Sequence, residues 1–389
     1  DARRCPVNRP GGRTARRPAH PESKVVREGG QNKGVVNAAR AVSPEQHAAW
    51  RERRLPQVER VRPGLWSIPV PIPVNPLRYV LVYALELRDG VAIVDAGWDT
   101  DEAYAALTAG LRTAGYEPTD VKAILVTHIH PDHYGLAGRM REVSGAWIGL
   151  HPADAELLHE RYDDDAIDTL LAQQEAQLRR CGVPPLSAEE LARASMSIRK
   201  YVSFGKPDVL IEDRERLKLP GWEDLTALWT PGHSPGHLCF VSEERRLLLS
   251  GDHLLPRITP IITVHPQSAP NPLADYLDSL ATVRGLDVDE VLPAHEYRFL
   301  EAARRVDQVV AHHRERLAEI EAAVAAAGGV SCWDLTTRLS WSRPWEEIPT
   351  FMQRAATNET LAHLIWLEAH GRVARTPGMP DLWHPPHDG

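Results

Sequence analysis

The stretch Ala123-Ile-Leu-Val-Thr-His-Ile-His-Pro-Asp-His-Tyr-Gly135 decides how the rest of this chain is read. Ala123 to Val126 is a short apolar run of the kind that forms a buried strand. It breaks into a turn carrying His128, His130, Asp132 and His133. Side chains two apart on an extended backbone share a side, so His128 and His130 can reach one ion together. Pro131 suits the first turn of a helix, from which Asp132 and His133 point toward a second ion. Four donors this close together, directly behind a strand, predict a metal-binding loop rather than polar surface.

Outward from that loop, strands and helices alternate. Upstream, residues 64–69, 77–87 and 90–97 read as strands, the last two joined by the hairpin signal Arg88-Asp-Gly90. Residues 101–114 read as a helix. Downstream come a helix over 135–143, a strand over 146–150, and a charged helical insert over 153–205 that either caps a cleft or covers the sheet. Strands follow at 209–211, 225–230, 238–241 and 246–252, then a helix over 275–285 and a strand over 290–296. Asp95, the His128 cluster, His233, Asp252 and His295 each stand where an apolar strand stops, beside Gly or Pro. Such an order predicts a layered α/β protein with its chemistry on one rim. Imidazole and carboxylate donors without thiolate suit zinc, iron or manganese in a hydrolytic role.

These elements, in this order over residues 61–300, resemble the metallo-β-lactamase superfamily. The resemblance implies an αββα sandwich and two divalent metal ions, zinc first, with iron or manganese also accommodated. It places one ion on His128, His130 and His233, and the other on Asp132, His133 and His295. Asp252 would bridge them and Asp95 would orient the histidine loop. A bridging hydroxide would be the nucleophile, with Asp132 and Asp252 as the carboxylates that serve the chemistry. Around this set, His237 and His253 are candidates to assist. Arg257 and Arg298 could hold a substrate carboxylate or form ordinary ion pairs, and Tyr134 could line the pocket or pack.

With 389 residues, 43% hydrophobic and 25% charged, the chain can bury a large core plus an appendage. It contains no run of eighteen apolar residues and shows no signal segment, so a cytoplasmic protein without membrane attachment is expected. Four dispersed cysteines argue against a disulfide scaffold. The net charge of −8 conceals a basic leader: residues 1–63 hold 15 Lys/Arg against 6 Asp/Glu, leaving 30 against 47 in the body. Residues 1–55 are expected to be a disordered leader, 56–302 the catalytic domain and 303–389 a small, mostly helical domain. The last segment reads as helices over 306–327, 331–339 and 358–371 with a β-wing, resembling the winged-helix appendage of one branch of the superfamily. Its third helix, 358–371, has two Glu and neither Lys nor Arg, a poor match to a phosphate backbone.

The expected function is therefore hydrolysis of a small acyl compound: a thioester, ester, lactone or amide. Only nineteen residues separate His233 from Asp252, which leaves no room for the large inserted domain of nucleic-acid-processing relatives. An endoribonuclease is the alternative, disfavoured by the acidic body, and a β-lactamase the lesser one. The expected partner is a small acyl molecule, with nucleic acid disfavoured and a homodimer left open.

Overall fold

The strand Tyr79–Leu87 is apolar at nearly every position because both of its faces are covered. Tyr79, Leu81, Tyr83 and Leu85 point into a core shared with a second sheet, whereas Val80, Val82 and Ala84 point into a core shared with helices. That alternation sets this strand inside a helix–sheet–sheet–helix sandwich. The computed structural model describes residues 38–386 apart from Val74.

The first sheet runs in chain order through β1 Glu59–Arg62, β2 Leu65–Pro71, β3 Tyr79–Leu87, β4 Gly90–Val94, β5 Val121–Leu125, β6 Trp147–Leu150 and β7 Val209–Leu210. Pairing is antiparallel from β1 to β4 and parallel from β4 to β7. The second sheet contains β8 Leu225–Trp229, β9 Leu238–Ser242, β10 Leu247–Gly251, β11 Glu290–Pro293 and β12 Phe299–Leu300, arranged β12-β11-β10-β9-β8. Its β10–β11 pair is parallel and the rest are antiparallel.

Helices Asp101–Thr113 and Ala137–Ser144 cover the outer face of the first sheet. Helices Pro272–Arg284 and Ala302–Ala327 cover that of the second. The sheets are also stitched together by polar bonds. The Leu81 amide donates to Ala294 O (2.7 Å), and the hydroxyls of Tyr83 and Tyr79 donate to Pro293 O (2.9 Å) and Glu296 O (2.7 Å). These bonds hold the end of β11, where His295 lies, against β3.

The insert folds into helices that include Leu157–Tyr162, Ile167–Arg180 and Pro185–Ala194. Leu178 and Leu191 from it join Val241, Leu248 and Val291 of the second sheet and Ile320, Leu364 and Trp383 of the C-terminal segment in one apolar core. The C-terminal segment adds helices Cys332–Thr336 and Thr350–Ala369 and the antiparallel pair β13 Ala374–Thr376 and β14 Leu382–His384. Its long helix begins at Thr350 rather than Asn358 and so includes Arg354.

Order also begins earlier than the expected leader boundary at residue 55. Pro44–Glu52 is a helix whose cap, Ser43, accepts from the Gln46 amide. The Gln46 side chain donates to Ser67 and accepts from the Arg298 amide, and Trp50 packs edge-on against Tyr79. Buried polar partners of this kind offset the entropy of ordering a short helix. Residues 1–37, the greater part of that leader, lie outside the described residues. Among the described residues, no helix is long and apolar enough to cross a membrane.

Candidate metal centre

Five strand ends meet on one rim. Asp95 follows β4, the Thr127–His133 turn follows β5, and His233 follows β8. Asp252 follows β10, and His295 follows β11. Asp95 sits in the left-handed region at φ 64°, a conformation that Asp tolerates better than bulky residues. Its carboxylate accepts from the Thr127 amide (2.8 Å) and hydroxyl (2.9 Å) and from His133 Nδ1 (2.9 Å). One side chain thereby fixes both the entry and the exit of the histidine turn.

The donors fall into three overlapping groups: His128, His130 and His233; His128, His133 and Asp252; and Asp132, His133 and His295. Within each group the ligand atoms lie within 4.8 Å of one another. Between the groups, Asp252 approaches His133 at 3.6 Å and His295 at 3.2 Å through Oδ1, and His233 at 3.5 Å through Oδ2. Asp132 reaches His295 at 3.4 Å and His133 at 3.7 Å.

His128 Nε2 and His130 Nδ1 bond each other (2.9 Å), whereas in three other rings the hydrogen bond on Nδ1 leaves Nε2 free. His133 Nδ1 is held by Asp95, His233 Nδ1 by Ile261 O (3.0 Å) and His295 Nδ1 by Tyr79 O (2.9 Å). Their Nε2 atoms, and Asp252 Oδ1, are buried without a hydrogen-bond partner. An orphaned buried polar atom costs roughly 1–3 kcal/mol, so four converging on one spot require something to satisfy them. Divalent cations fit that requirement, with the outer nitrogens already oriented as metal-binding histidines need.

The electrostatics divide the cluster in two. Burial, then the neighbouring imidazoles, push His128 and His130 well below the usual range, and burial lowers His233 too, so that group offers neutral nitrogens. At the other end burial is outweighed by carboxylates. Asp95, Asp132 and Asp252 hold His133 well above the usual range, and Asp252 with Asp132 raises His295 to about 10. In turn His295 and His133 hold Asp252 well below the carboxylate range against its burial. Without a cation, protons balance these carboxylates; a cation entering here takes the place of protons.

A residue absent from the sequence reading completes the frame. Asp154, buried in the short helix Pro152–Ala155 behind β6, accepts from the Ile129 amide (2.8 Å), the Ser234 hydroxyl (2.9 Å) and the Gly236 amide (2.7 Å). It clamps the His128 turn to the His233 turn. A Cβ on Gly236 would lie 2.5 Å from the Asp154 amide nitrogen, so this close approach requires glycine. The signal was its strand-end position in His151-Pro-Ala-Asp154, lost among the insert's charges.

His237 bonds Thr230 through Nδ1 (2.9 Å), and its Nε2 accepts from the Asp252 amide (3.2 Å), so it seats the Asp252 backbone. His253 is buried against Tyr276. Tyr134 packs, exchanging hydrogen bonds with Gly205. Arg298 is buried between Glu59 and Glu290, out of reach of substrate. Arg257 lies near the Trp50 ring.

Comparison with known proteins agrees with this geometry. A metallo-beta-lactamase family protein from Thermus thermophilus superposes with a TM-score of 0.73 at 32% identity, over 84% of this chain and 100% of that chain. The probable metallo-hydrolase YqjP of Bacillus subtilis is 27% identical over 241 residues, 59% of this chain and 69% of that protein. The atrochrysone carboxyl ACP thioesterase of Aspergillus fumigatus is 28% identical over 182 residues, 44% of this chain and 41% of that protein. The pattern of the Metallo-beta-lactamase superfamily matches residues 75–295, more than half of the chain. By its fold, its rim of converging donors and this match, the chain belongs to the metallo-beta-lactamase superfamily of metal-dependent hydrolases.

Proposed function

We propose that the chain is a dinuclear metal hydrolase of small acyl compounds, with a thioester or ester as the substrate and a lactone or amide within the same chemistry. The observation that carries this reading is the set of orphaned Nε2 and Oδ1 atoms converging from four strand ends. His128, His130 and His233 would hold one ion and Asp132, His133 and His295 the other, with Asp252 between them. Two divalent cations, zinc first among those these donors suit, would acidify a water molecule and polarise the substrate carbonyl. Asp95, Asp154 and His237 keep the donors oriented. Asp132, the more exposed of the two inner carboxylates at 14% against 10% for Asp252, takes up the proton released on attack. A relative with thioesterase in its name and the acidic body of this chain support acyl transfer to water over RNA cleavage.

The test is a panel of p-nitrophenyl acetate, an acyl thioester, a lactone and single-stranded RNA, each with and without chelator. Acyl hydrolysis that disappears on chelation and returns with zinc is expected. RNA cleavage with steep salt dependence and no acyl turnover would overturn the assignment.

A further inference from the structure

Beside the His130–His233 end of the centre, two arginines stand without carboxylates. Arg161 lies in the last turn of the helix Leu157–Tyr162 of the insert. Its place is pinned by the Tyr162 hydroxyl, which donates to Ile129 O (2.7 Å) inside the histidine turn, and by Arg199, whose Nε donates to Arg161 O (2.8 Å). Arg161 Nη1 is buried with no hydrogen-bond partner. Arg354 stands one turn before Asn358 on the helix Thr350–Ala369, near enough for its charge to be opposed by that of Arg161. That helix is tied to the loop after Asp252, since Val264 N donates to Asn358 O (3.2 Å) and Gln177 Nε2 bonds both Val264 O and Asn358 Oδ1. Among the described residues, neither guanidinium has an Asp or Glu oxygen within 4.0 Å.

His265 is on that loop, which also meets the insert's helix, since the Gln267 side chain donates to Glu160 Oε2 (2.9 Å) next to Arg161. The His265 Nδ1 accepts from the Gln267 amide (3.3 Å), which places the ring hydrogen on Nε2 and makes the ring a donor. Burial, then the charges of Arg161, Arg354 and His233, hold His265 well below the usual imidazole range. Burial, then Arg161, lowers Arg354 to about 10. Arg161 also acts on His130 and on Asp154, whose oxygens are already spent on Ile129, Ser234 and Gly236. The carboxylates at hand are engaged elsewhere, Asp154 by those three donors and Glu160 by the Gln267 side chain, so the two guanidiniums are left without one. Three other buried or half-buried arginines are held by named acceptors: Arg298 by Glu59 and Glu290, Arg245 by Asp224, Arg305 by the carbonyls of Leu255 and Ile258. Two guanidiniums that oppose each other's charge with no carboxylate oxygen within 4.0 Å are costly unless an anion satisfies them, and their planar forks match a carboxylate or phosphate.

We propose that Arg161 and Arg354, with His265, form an anion-binding subsite that holds a carboxylate or phosphate carried by the acyl substrate. The inference rests on the acyl-hydrolase reading and narrows its substrates to acidic ones. It also gives the insert and the C-terminal helix a shared task, since each supplies one arginine.

The zinc-loaded protein would be compared with R161A, R354A and the double variant, with R161K and R354K as conservative controls and metal content measured for each. The ratio of kcat/KM for mono-p-nitrophenyl glutarate to that for p-nitrophenyl acetate is expected to fall at least tenfold in each alanine variant, mainly through KM. The lysine variants should recover part of it. Glutarate and inorganic phosphate would be titrated calorimetrically into the same proteins, with at least tenfold weaker binding expected in the double variant. Tighter wild-type binding of glutarate identifies a carboxylate, and tighter binding of phosphate a phosphate. An unchanged ratio, or equal anion affinity in wild type and double variant, overturns the subsite. If no ester is hydrolysed but the anion titrations still separate wild type from variant, the subsite stands and the acyl reading falls. If neutral esters are hydrolysed while neither anion binds, the reverse holds.

Discussion

On the rim of candidate metal donors, His128 to His133 come from a single turn, and each remaining donor lies at the end of its own strand. The wall beside that rim takes Arg161 from the insert, His265 from the loop behind β10 and Arg354 from the last long helix. The rim is a local product of strand-to-turn transitions in a rigid sandwich. The wall exists only after distant segments have packed. A fold can therefore hold its reactive centre constant while the wall changes with a few helices, as expected when function is grafted on a scaffold.

The strongest way to break this contrast is to remove a rim donor. Asp252→Ala should lose metal and lower acyl hydrolysis by about a thousandfold or more, because Asp252 faces His133, His233 and His295 together. Metal analysis and turnover on one preparation would check it; a fully loaded, active variant would refute the ligand assignment. A sharper probe is Asp154→Ala, which touches no donor atom yet releases three hydrogen bonds between the two histidine turns. Metal affinity should fall about 10–100-fold, the range for partners that orient ligands, as read by competition with a chromophoric chelator. An effect no larger than that of a surface Asp would show that the turns hold themselves.

An effect on stability rather than on activity concerns the helices behind the wall. His313 and His363 are both buried, with Nδ1 and Nε2 of the pair 3.2 Å apart. Burial lowers His363 from 6.5 to about 4, so the unfolded chain binds the extra proton first as pH falls. Stability is full above pH 6.5 and drains away toward pH 4, by about 3 kcal/mol for this residue. Replacing the pair with His313→Phe and His363→Leu should flatten that acid limb in urea unfolding at pH 7, 5.5 and 4. Equal slopes in both proteins would show that the acid limb lies elsewhere.

The same contrast explains what could be read from the residues alone. Seven candidate donor positions and Asp95 stand out in the sequence because each sits at the end of an apolar run and is flanked by turn residues. The converging sheets bring the donor atoms together. Asp154 escaped because its signal is identical in kind but embedded in a charged helical stretch. Arg354 escaped because the helix was expected to begin after it, and its apolar pattern is weak in the turns before Asn358. Periodicity shows which face of a helix is buried, not which cation on its edge will meet another from a different segment. Arg298 shows the converse: its place beside a donor turn leaves substrate contact and an ordinary ion pair both open, and two glutamates make it the ion pair.

The apolar core under the second sheet has one further consequence. Val241, Leu248 and Val291 lie against the same layer as Ile320, Leu364 and Trp383. Among the described residues, no seam exists there along which an ancestor could have shed or exchanged the C-terminal segment cleanly. Losing it would strip the sheet of its cover and leave a sticky plane. A chain with a different tail would need a new cover for that plane, and with it would gain a new neighbour for the reaction.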